Sequence, residues 1–477
     1  MPDKRKFHTV RGVRDILPPD SSLWNWFEAT ARDVLESFNF REIRLPIFEE
    51  TELFARSVGL ETDIVSKEMY TFHDPLDVEQ AIKSVLGHGL DPTKVHLGSD
   101  ASTSTSQIWD FLNKFESLTL RPEATASVAR AYIENGMHTQ PGLVKLYYAG
   151  PMFRRERPQK GRYRQFYQIG AEVLGTSDHP AIDAELIEML TVLLERCKLG
   201  NWTLLVNSIG DPNCRPAYVE LLREELRKVK DQLGQDSQRR VETNPLRVFD
   251  SKVPEEQALI TNLPKITDHL CDACRQHFDD LRRQLDLRSI PYTHEPRLVR
   301  GLDYYMRTTF EITSTHLGAQ NALAGGGRYD GLVEMLGGPP TKGIGFALGE
   351  DRFIEVIQAA GQISASSVGR PLDAFIVWMG AESYPAATRL ARRLRGDGLC
   401  VELPAEEPKL RKALSLAERL GARFAIIIGE NEIKTGVFAV KRFADGKQEN
   451  LAEADVASFL RTSAPVANEA EAKTPQT

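Results

Sequence analysis

FRRERPQKGRYRQFYQIGAE, residues 153–172, is a loop dense in cations held between two strand-like segments. From Arg154 to Arg164 it carries five arginines and one lysine against a single carboxylate, Glu156. A solvated loop has no need of so much positive charge. A site for a polyphosphate or a nucleic-acid end does, because the arginine fork matches phosphate oxygens two at a time. Arg154, at the end of a strand, is fixed well enough to put its charge beside the first phosphorus of a bent polyphosphate. Glu156 suits a base or an arginine partner, and Phe166 offers a flat apolar face to a purine. The plain alternative is a solvated hairpin tip.

On the return strand alternate residues share a face. Arg164, Phe166, Gln168, Gly170 and Glu172 lie on one side; Tyr167, Ile169, Ala171 and Val173 lie on the other, which reads as the core side. Gly170 is expected to leave a gap between the amide of Gln168 and the carboxylate of Glu172, with room for a small polar ligand. LVRGLDYY (298–305) adds Arg300, Tyr304 and Tyr305. AGGGRYDG (324–331) reads as a glycine-rich turn carrying Tyr329. GIGFALGEDRF (343–353) brings glycines to a helix N-terminus with Arg352 beyond, which suits either a nucleotide phosphate or ordinary strand–helix packing. No GxxxxGK[ST] loop occurs, and no GxGxxG follows a strand in a βαβ unit.

A chain of 477 residues predicts two or three domains. Its 41% hydrophobic and 27% charged content is that of a globular protein. No apolar run is long enough to span a membrane, and MPDKRKFHTVRGVRD does not read as a signal peptide. Five cysteines in so long a chain point to a reducing compartment, hence the cytoplasm. A net charge of -7 leaves nucleic-acid binding open, since binding depends on where the cations sit. Cys271, Cys274 and His277 have CxxCxxH spacing along one side of a helix. With no second CxxC pair the trio reads as structural, and no metal ligand is expected.

The segment Leu23–Phe38 predicts an amphipathic helix capped near Asp20 or Ser21. MYTF (69–72) and SLTLRPE (117–123) predict paired strands, and the long connection 73–116, with its run SDASTSTS, reads as an insertion. Residues 213–290 read as an inserted helical subdomain, 362–370 as a linker and 462–477 as a disordered tail. Between the last two, 371–461 alternates as β-α-β-α-β-β, a small α/β domain with a mainly parallel sheet.

Taken in order, these pieces resemble a class II aminoacyl-tRNA synthetase, and nearly the whole chain is similar to the histidyl-tRNA synthetase family. RGVRDILPPD looks like that family's opening, and REIRLPIFEETELFARSVGLETDIVSKEMYTF like the dimer-forming motif 1 centred on Pro46. TLRPEATA, the arginine loop, LVRGLDYY, AGGGRYDGL and GIGFALGEDRF look like the substrate elements through motif 3, and KLRKALSLAERLGARFAIIIGENE like the anticodon-binding domain. The resemblance implies an α+β fold: a catalytic domain over 1–361 built on an antiparallel sheet, with a C-terminal α/β anticodon-binding domain.

The same resemblance implies roles. Glu123, Ala124 and Thr125 would bind histidine, Glu123 through its α-ammonium, and Gln168 would meet its carboxylate region. Glu172 and Tyr305 would hold the imidazole, with Tyr304 and Tyr329 lining the pocket. Arg154 and Arg300 would be the catalytic pair, contacting histidine as well and approaching the α-phosphate from opposite sides. Glu156, Arg162, Phe166 and Arg352 would complete the ATP site, Phe166 stacking on adenine and Arg352 clamping the γ-phosphate. Arg157 and Gln159 would meet the extra guanosine of the tRNA(His) acceptor end. Mg²⁺ would accompany ATP, and the protein would be a homodimer. The chain departs from the pattern in the length of 73–116, in Ala124 where glycine is common, and in GEDRF where GLERL is usual.

Two other readings compete. Synthetase-like regulatory subunits of ATP phosphoribosyltransferase lose parts of these motifs and lack the anticodon-binding domain; this chain keeps Arg154, Gln168, Glu172, Arg300 and Tyr305 and has the extra domain. A synthetase for another amino acid is disfavoured by LVRGLDYY.

Overall fold

A computed structural model describes residues 7–59, 62–73, 117–157, 161–317 and 321–462. Contacts divide the chain into two compact units, Met1–Ser367 and Val368–Thr477. Of the expected insertion, 74–116 lies outside the described residues, as does 463–477 of the expected tail.

The first unit contains β1 (Arg41–Glu42), β2 (Phe48–Glu50), β3 (Tyr70–His73), β4 (Ser117–Leu120), β5 (Val144–Phe153), β6 (Gln165–Gly175), β7 (Trp202–Ser208), β8 (Thr293–His294), β9 (Met306–Ser314), β10 (Ala322–Arg328) and β11 (Lys342–Gly349). Eight of these form one sheet in the order β1-β5-β6-β11-β10-β9-β7-β8. Its pairings are antiparallel except where the two-residue strands β1 and β8 join its ends. β3 and β4 pair antiparallel, as MYTF and SLTL predict, and β2 joins them in a second, three-stranded sheet.

The glycine-rich segment expected to be a turn is instead β10, inside the large sheet between β9 and β11. Glycine is disfavoured in strands unless something must come close. Here neighbours do: a Cβ on Gly326 would lie 2.1 Å from the Gly345 carbonyl oxygen, and one on Gly327 2.4 Å from that of Thr308.

One face of the sheet is apolar. Ile169, Ala171 and Val173 of β6, Ile344, Phe346 and Leu348 of β11, and Phe310 and Ile312 of β9 are all buried. The helix Pro180–Arg196 packs against β11 and against the helices Asp20–Ser37 and Asp272–Leu287. It sends the fully buried Asp183 to Arg328 of β10 (2.7 Å) and to the Thr308 hydroxyl (2.6 Å). Arg328 also reaches Asp330 at 3.0 Å. Removing one partner of such a pair strands a buried charge and costs about 3–5 kcal/mol. The helix at Asp20–Ser37 starts earlier than its apolar spacing predicts and has no side-chain cap bond.

Between β7 and β8 the chain is helical, with α-helices Arg215–Lys228, Gln235–Thr243, Pro254–Thr261 and Asp272–Leu287. Part of the expected linker forms a short helix, Ala365–Val368.

The second unit holds β12 (Leu372–Trp378), β13 (Val401–Glu402), β14 (Ala422–Ile428), β15 (Val437–Arg442) and β16 (Gln448–Ala452), in the order β13-β12-β14-β15-β16. β12 pairs parallel with β13 and β14, but β14–β15 and β15–β16 are antiparallel, so the sheet is mixed rather than mainly parallel. The connection 429–436 is shorter than the dozen or so residues that a parallel crossover needs. Ile376, Ile426 and Val440 pack with Leu390 and Leu394, while Phe375 and Val377 pack with Ala413 and Ala417, so both faces are covered.

Candidate active site

The other face of the large sheet is a trough of small residues. By register Tyr148, Gly170, Ala347, Gly325 and Glu311 form one row across it, and Leu146, Glu172, Gly345, Gly327 and Thr309 the next. The glycines admit larger groups from above or beside them. A Cβ on Gly345 would fall 1.5 Å from Glu172 Oε2, on Gly325 2.4 Å from the Arg300 guanidinium, and on Gly343 2.2 Å from the Tyr329 ring. The gap expected at Gly170 is filled: the phenol of Tyr148, its partner on β5, lies where a Cβ would be, at 2.2 Å. Sequence parity placed Gly170 on the right face but did not reveal what the neighbouring strand brings to it.

A cavity opens on this trough. Glu123, Thr125, Arg154, Glu156, Arg162, Phe166, Gln168, Arg300, Tyr304, Tyr305 and Arg352, all singled out in the sequence, line it. Tyr148, Tyr163 and Asp351, which were not, line it as well. Ala124 is buried one residue before the helix Thr125–Glu134. Arg157 is exposed, and Gln159 lies outside the described residues.

At the inner end Glu172 and Tyr329 stand behind the cavity lining rather than in it: Glu172 is 0% exposed, and its two oxygens accept from Thr125 Oγ1 and Tyr329 OH, each at 2.6 Å. Burial, with a smaller push from the neighbouring Glu123, holds its carboxyl up at about 8 against the pull of those two bonds. Glu123 accepts from the N–H groups of Thr125 (2.7 Å) and Ala126 (3.0 Å), the open donors of a helix start. Burial raises its carboxyl too. Tyr304 packs on Tyr305 at 4.7 Å and edge-on to Tyr329 at 5.7 Å. Burial pushes the Tyr305 phenol up to about 12. The Gln168 side-chain oxygen is buried and meets no donor among the described residues.

The outer end is cationic. Arg154 Nε donates to the Pro122 carbonyl at 2.9 Å, which turns its guanidinium over the Phe166 ring at 5.2 Å. Glu156 is bound to Arg162 at 2.8 Å and stands 3.9 Å from Arg154. Arg352 reaches the carbonyls of Ala322 (3.0 Å) and Gly161 (3.3 Å). Arg300 is tied to Glu311 of β9 at 2.6 Å, an acid that the sequence reading passed over as part of RTTFEITS. Asp351 accepts from the Tyr167 amide (2.9 Å) and Arg14 (2.8 Å), fastening the start of the helix Glu350–Ala360 to β6. Arg121, buried in TLRPEATA, donates to the carbonyls of Leu45, Pro46 and Pro151 and so joins the 45–46 segment to β5.

The Cys271, Cys274 and His277 trio separates. His277 Nε2 turns to the Asp178 carbonyl (3.1 Å) and Asp183 (3.7 Å), while the two cysteines gather with Cys214 and Asp211.

Comparisons with known proteins agree with one another. A family model described as histidyl-tRNA synthetase matches residues 86–352, and one described as anticodon binding domain matches 373–463. A histidine–tRNA ligase of Koribacter versatilis is 53% identical over 456 residues, 95% of each chain. One of Solibacter usitatus is 49% identical, covering 94% of this chain and 98% of the relative. The crystal structure of apo histidyl-tRNA synthetase from S. aureus superposes with a TM-score of 0.74 at 33% identity, over 96% of this chain and 100% of that one. With its antiparallel sheet, its cationic trough and these matches along nearly its whole length, the chain belongs to the histidyl-tRNA synthetase family.

Proposed function

We propose that the chain joins L-histidine to tRNA(His) in two steps at the trough: attack of the histidine carboxylate on the α-phosphorus of ATP, releasing pyrophosphate, then transfer of the histidyl group from the adenylate to the terminal ribose hydroxyl of the tRNA. The observation that carries this reading is Glu172. Its buried carboxyl, fixed by Thr125 and Tyr329 beside Tyr304 and Tyr305, offers acceptor oxygens that suit the N–H donors of an imidazole.

Histidine lies with its imidazole toward Glu172 and Tyr305, between Tyr304 and Tyr329. Its α-ammonium meets Glu123 and Thr125, and its carboxylate lies near Gln168. ATP occupies the cationic end, with adenine on Phe166 and phosphates among Arg154, Arg162 and Arg352, while Glu156 orients the arginines. Arg154 and Arg300 face the α-phosphate from two sides and stabilise the charge that builds there. Each is already held by a fixed acceptor, so little reorganisation is needed. Arg157 and Gln159 lie toward the tRNA acceptor end.

Mg²⁺ would accompany ATP and supply charge neutralisation at its phosphates; Glu156 and Glu311, hard oxygen donors now paired with Arg162 and Arg300, are the acids that would hold it. The second unit reads the anticodon, and the 41–72 region pairs two chains in a homodimer. The five unpaired cysteines fit a reducing, cytoplasmic place of work; no described helix is long and apolar enough to cross a membrane.

Amino-acid-dependent ATP–pyrophosphate exchange, run against all twenty amino acids, tests the reading. Exchange should occur with histidine alone and fall about 10²–10³-fold in Arg300→Ala. A folded chain that exchanges with no amino acid would overturn it.

A further inference from the structure

We propose that Cys214, Cys271, Cys274 and Asp211 form a structural zinc site behind the LVRGLDYY segment. Sequence spacing offered only one CxxC pair. The fold supplies the other half from 60 residues upstream, where the loop after β7 enters the helix Arg215–Lys228. Four possible ligand atoms, one from each residue, all lie within 4.8 Å of one another. Asp211 Oδ1 stands 3.6 Å from Cys214 Sγ and 3.8 Å from Cys271 Sγ. Tetrahedral zinc, with bonds of about 2.3 Å to sulfur and about 2.0 Å to oxygen, spaces its ligand atoms about 3.5–3.8 Å apart. Small side-chain adjustments therefore close the shell. A set of three thiols and one carboxylate fits zinc better than Mg²⁺ or Ca²⁺, which take oxygen.

The surroundings are built as a metal's second layer would be. Gly210 has φ +69°, and a Cβ there would lie 2.8 Å from Cys214 Sγ, so glycine lets the loop fold onto the sulfur. The Asp211 amide points at that sulfur at 3.5 Å, an N–H···S contact that favours thiolate. Asn213 fixes the Asp211 carboxylate through its amide at 2.9 Å. Three thiolates and a carboxylate around Zn²⁺ make a net negative centre, and Arg307 stands 3.5 Å from Asp211 Oδ2 to balance it. Asp211, Cys214 and Cys274 are buried, while Cys271 is partly exposed and leaves a route in. On binding, the three thiols release their protons to solvent.

The site's position suggests its purpose. Arg307 exchanges backbone hydrogen bonds with the loop, its amide donating to Gly210 (2.7 Å) and its carbonyl accepting from Ile209 (2.8 Å). Arg215 donates to the Tyr305 carbonyl. Zinc would thus lock the 210–215 and 271–274 segments together against the strand entry that carries Tyr304 and Tyr305. It is a positioning metal that touches no substrate.

The test is elemental analysis of the full chain, expressed with zinc and passed through a column containing EDTA. We expect one zinc per chain, less than a tenth of that in Cys274→Ser, and full retention in Cys400→Ser. Replacement by Co²⁺ should give the thiolate-to-cobalt absorption of a tetrahedral site, which keeps the proposal testable if Cys274→Ser does not fold. Chelation under mild denaturant should lower the melting temperature. A folded wild-type chain that carries no stoichiometric zinc and takes up no cobalt would overturn the proposal. So would a mass showing a disulfide among these cysteines in freshly purified protein, or zinc content unchanged in Cys274→Ser.

Discussion

The two faces of the large sheet share every strand and differ only in residue parity, yet they do opposite work. On β6 the residues Gln168, Gly170 and Glu172 look into the trough, and Ile169, Ala171 and Val173 look into the core. On β11 the trough side is Gly345, Ala347 and Gly349, and the core side Ile344, Phe346 and Leu348. Stability is concentrated where side chains are large and interchangeable. Recognition is concentrated where they are absent, because the missing side chains create the space that Tyr148, Glu172, Arg300 and Tyr329 occupy.

Breaking the core side should give the largest effect in free energy. Phe346→Ala removes a buried ring and should lower unfolding free energy by about 3–5 kcal/mol in a denaturant titration. The remaining folded protein should stay specific for histidine in pyrophosphate exchange. Breaking the trough side should do the reverse. Gly345→Ala forces Glu172 aside, and a displacement of that kind costs about 10²-fold in kcat/KM for histidine. Its melting temperature should move less than that of Phe346→Ala, and if the order were reversed the division between faces would fail.

A milder cut sharpens the contrast. Tyr329→Phe leaves the ring in place and removes one hydrogen bond from the neutral Glu172 carboxyl, so KM for histidine should rise about 2–10-fold, corresponding to about 0.5–1.5 kcal/mol. A separate signature lies in pH dependence. The folded chain holds a proton on Glu172 up to about pH 8, whereas an ordinary glutamate has released it above 4.5. The native state therefore binds more protons than the unfolded state in that window. Its contribution to stability is full below 4.5 and is lost as pH rises toward 8. Glu172→Gln should flatten that part of the stability curve, and an unchanged slope would place the proton elsewhere.

The alternation in QFYQIGAE made the parity of β6 legible, and the arginine loop, LVRGLDYY and the family motifs gave the fold class and most of the cavity lining. What remained hidden depends on which strand lies beside which. Gly345 sits opposite Glu172, Tyr148 fills the space at Gly170, and Glu311 holds Arg300 only because β5, β6, β11, β10 and β9 adopt this order and register. Three consecutive glycines read locally as a turn, whereas the close approaches that make them necessary in β10 come from other strands and loops. The same holds for Asp211 and Cys214, which only the folded chain brings to Cys271 and Cys274.

The glycine floor has a consequence for heredity. Any amino-acid change in a glycine codon adds atoms, so at Gly325, Gly343 and Gly345 every missense mutation pushes a group into occupied space. Across the sheet, Ile344 or Leu348 has near-equivalents one nucleotide away. Drift can reword the core gradually, whereas at these glycines a lineage has no intermediate steps by which to adjust its choice of amino acid.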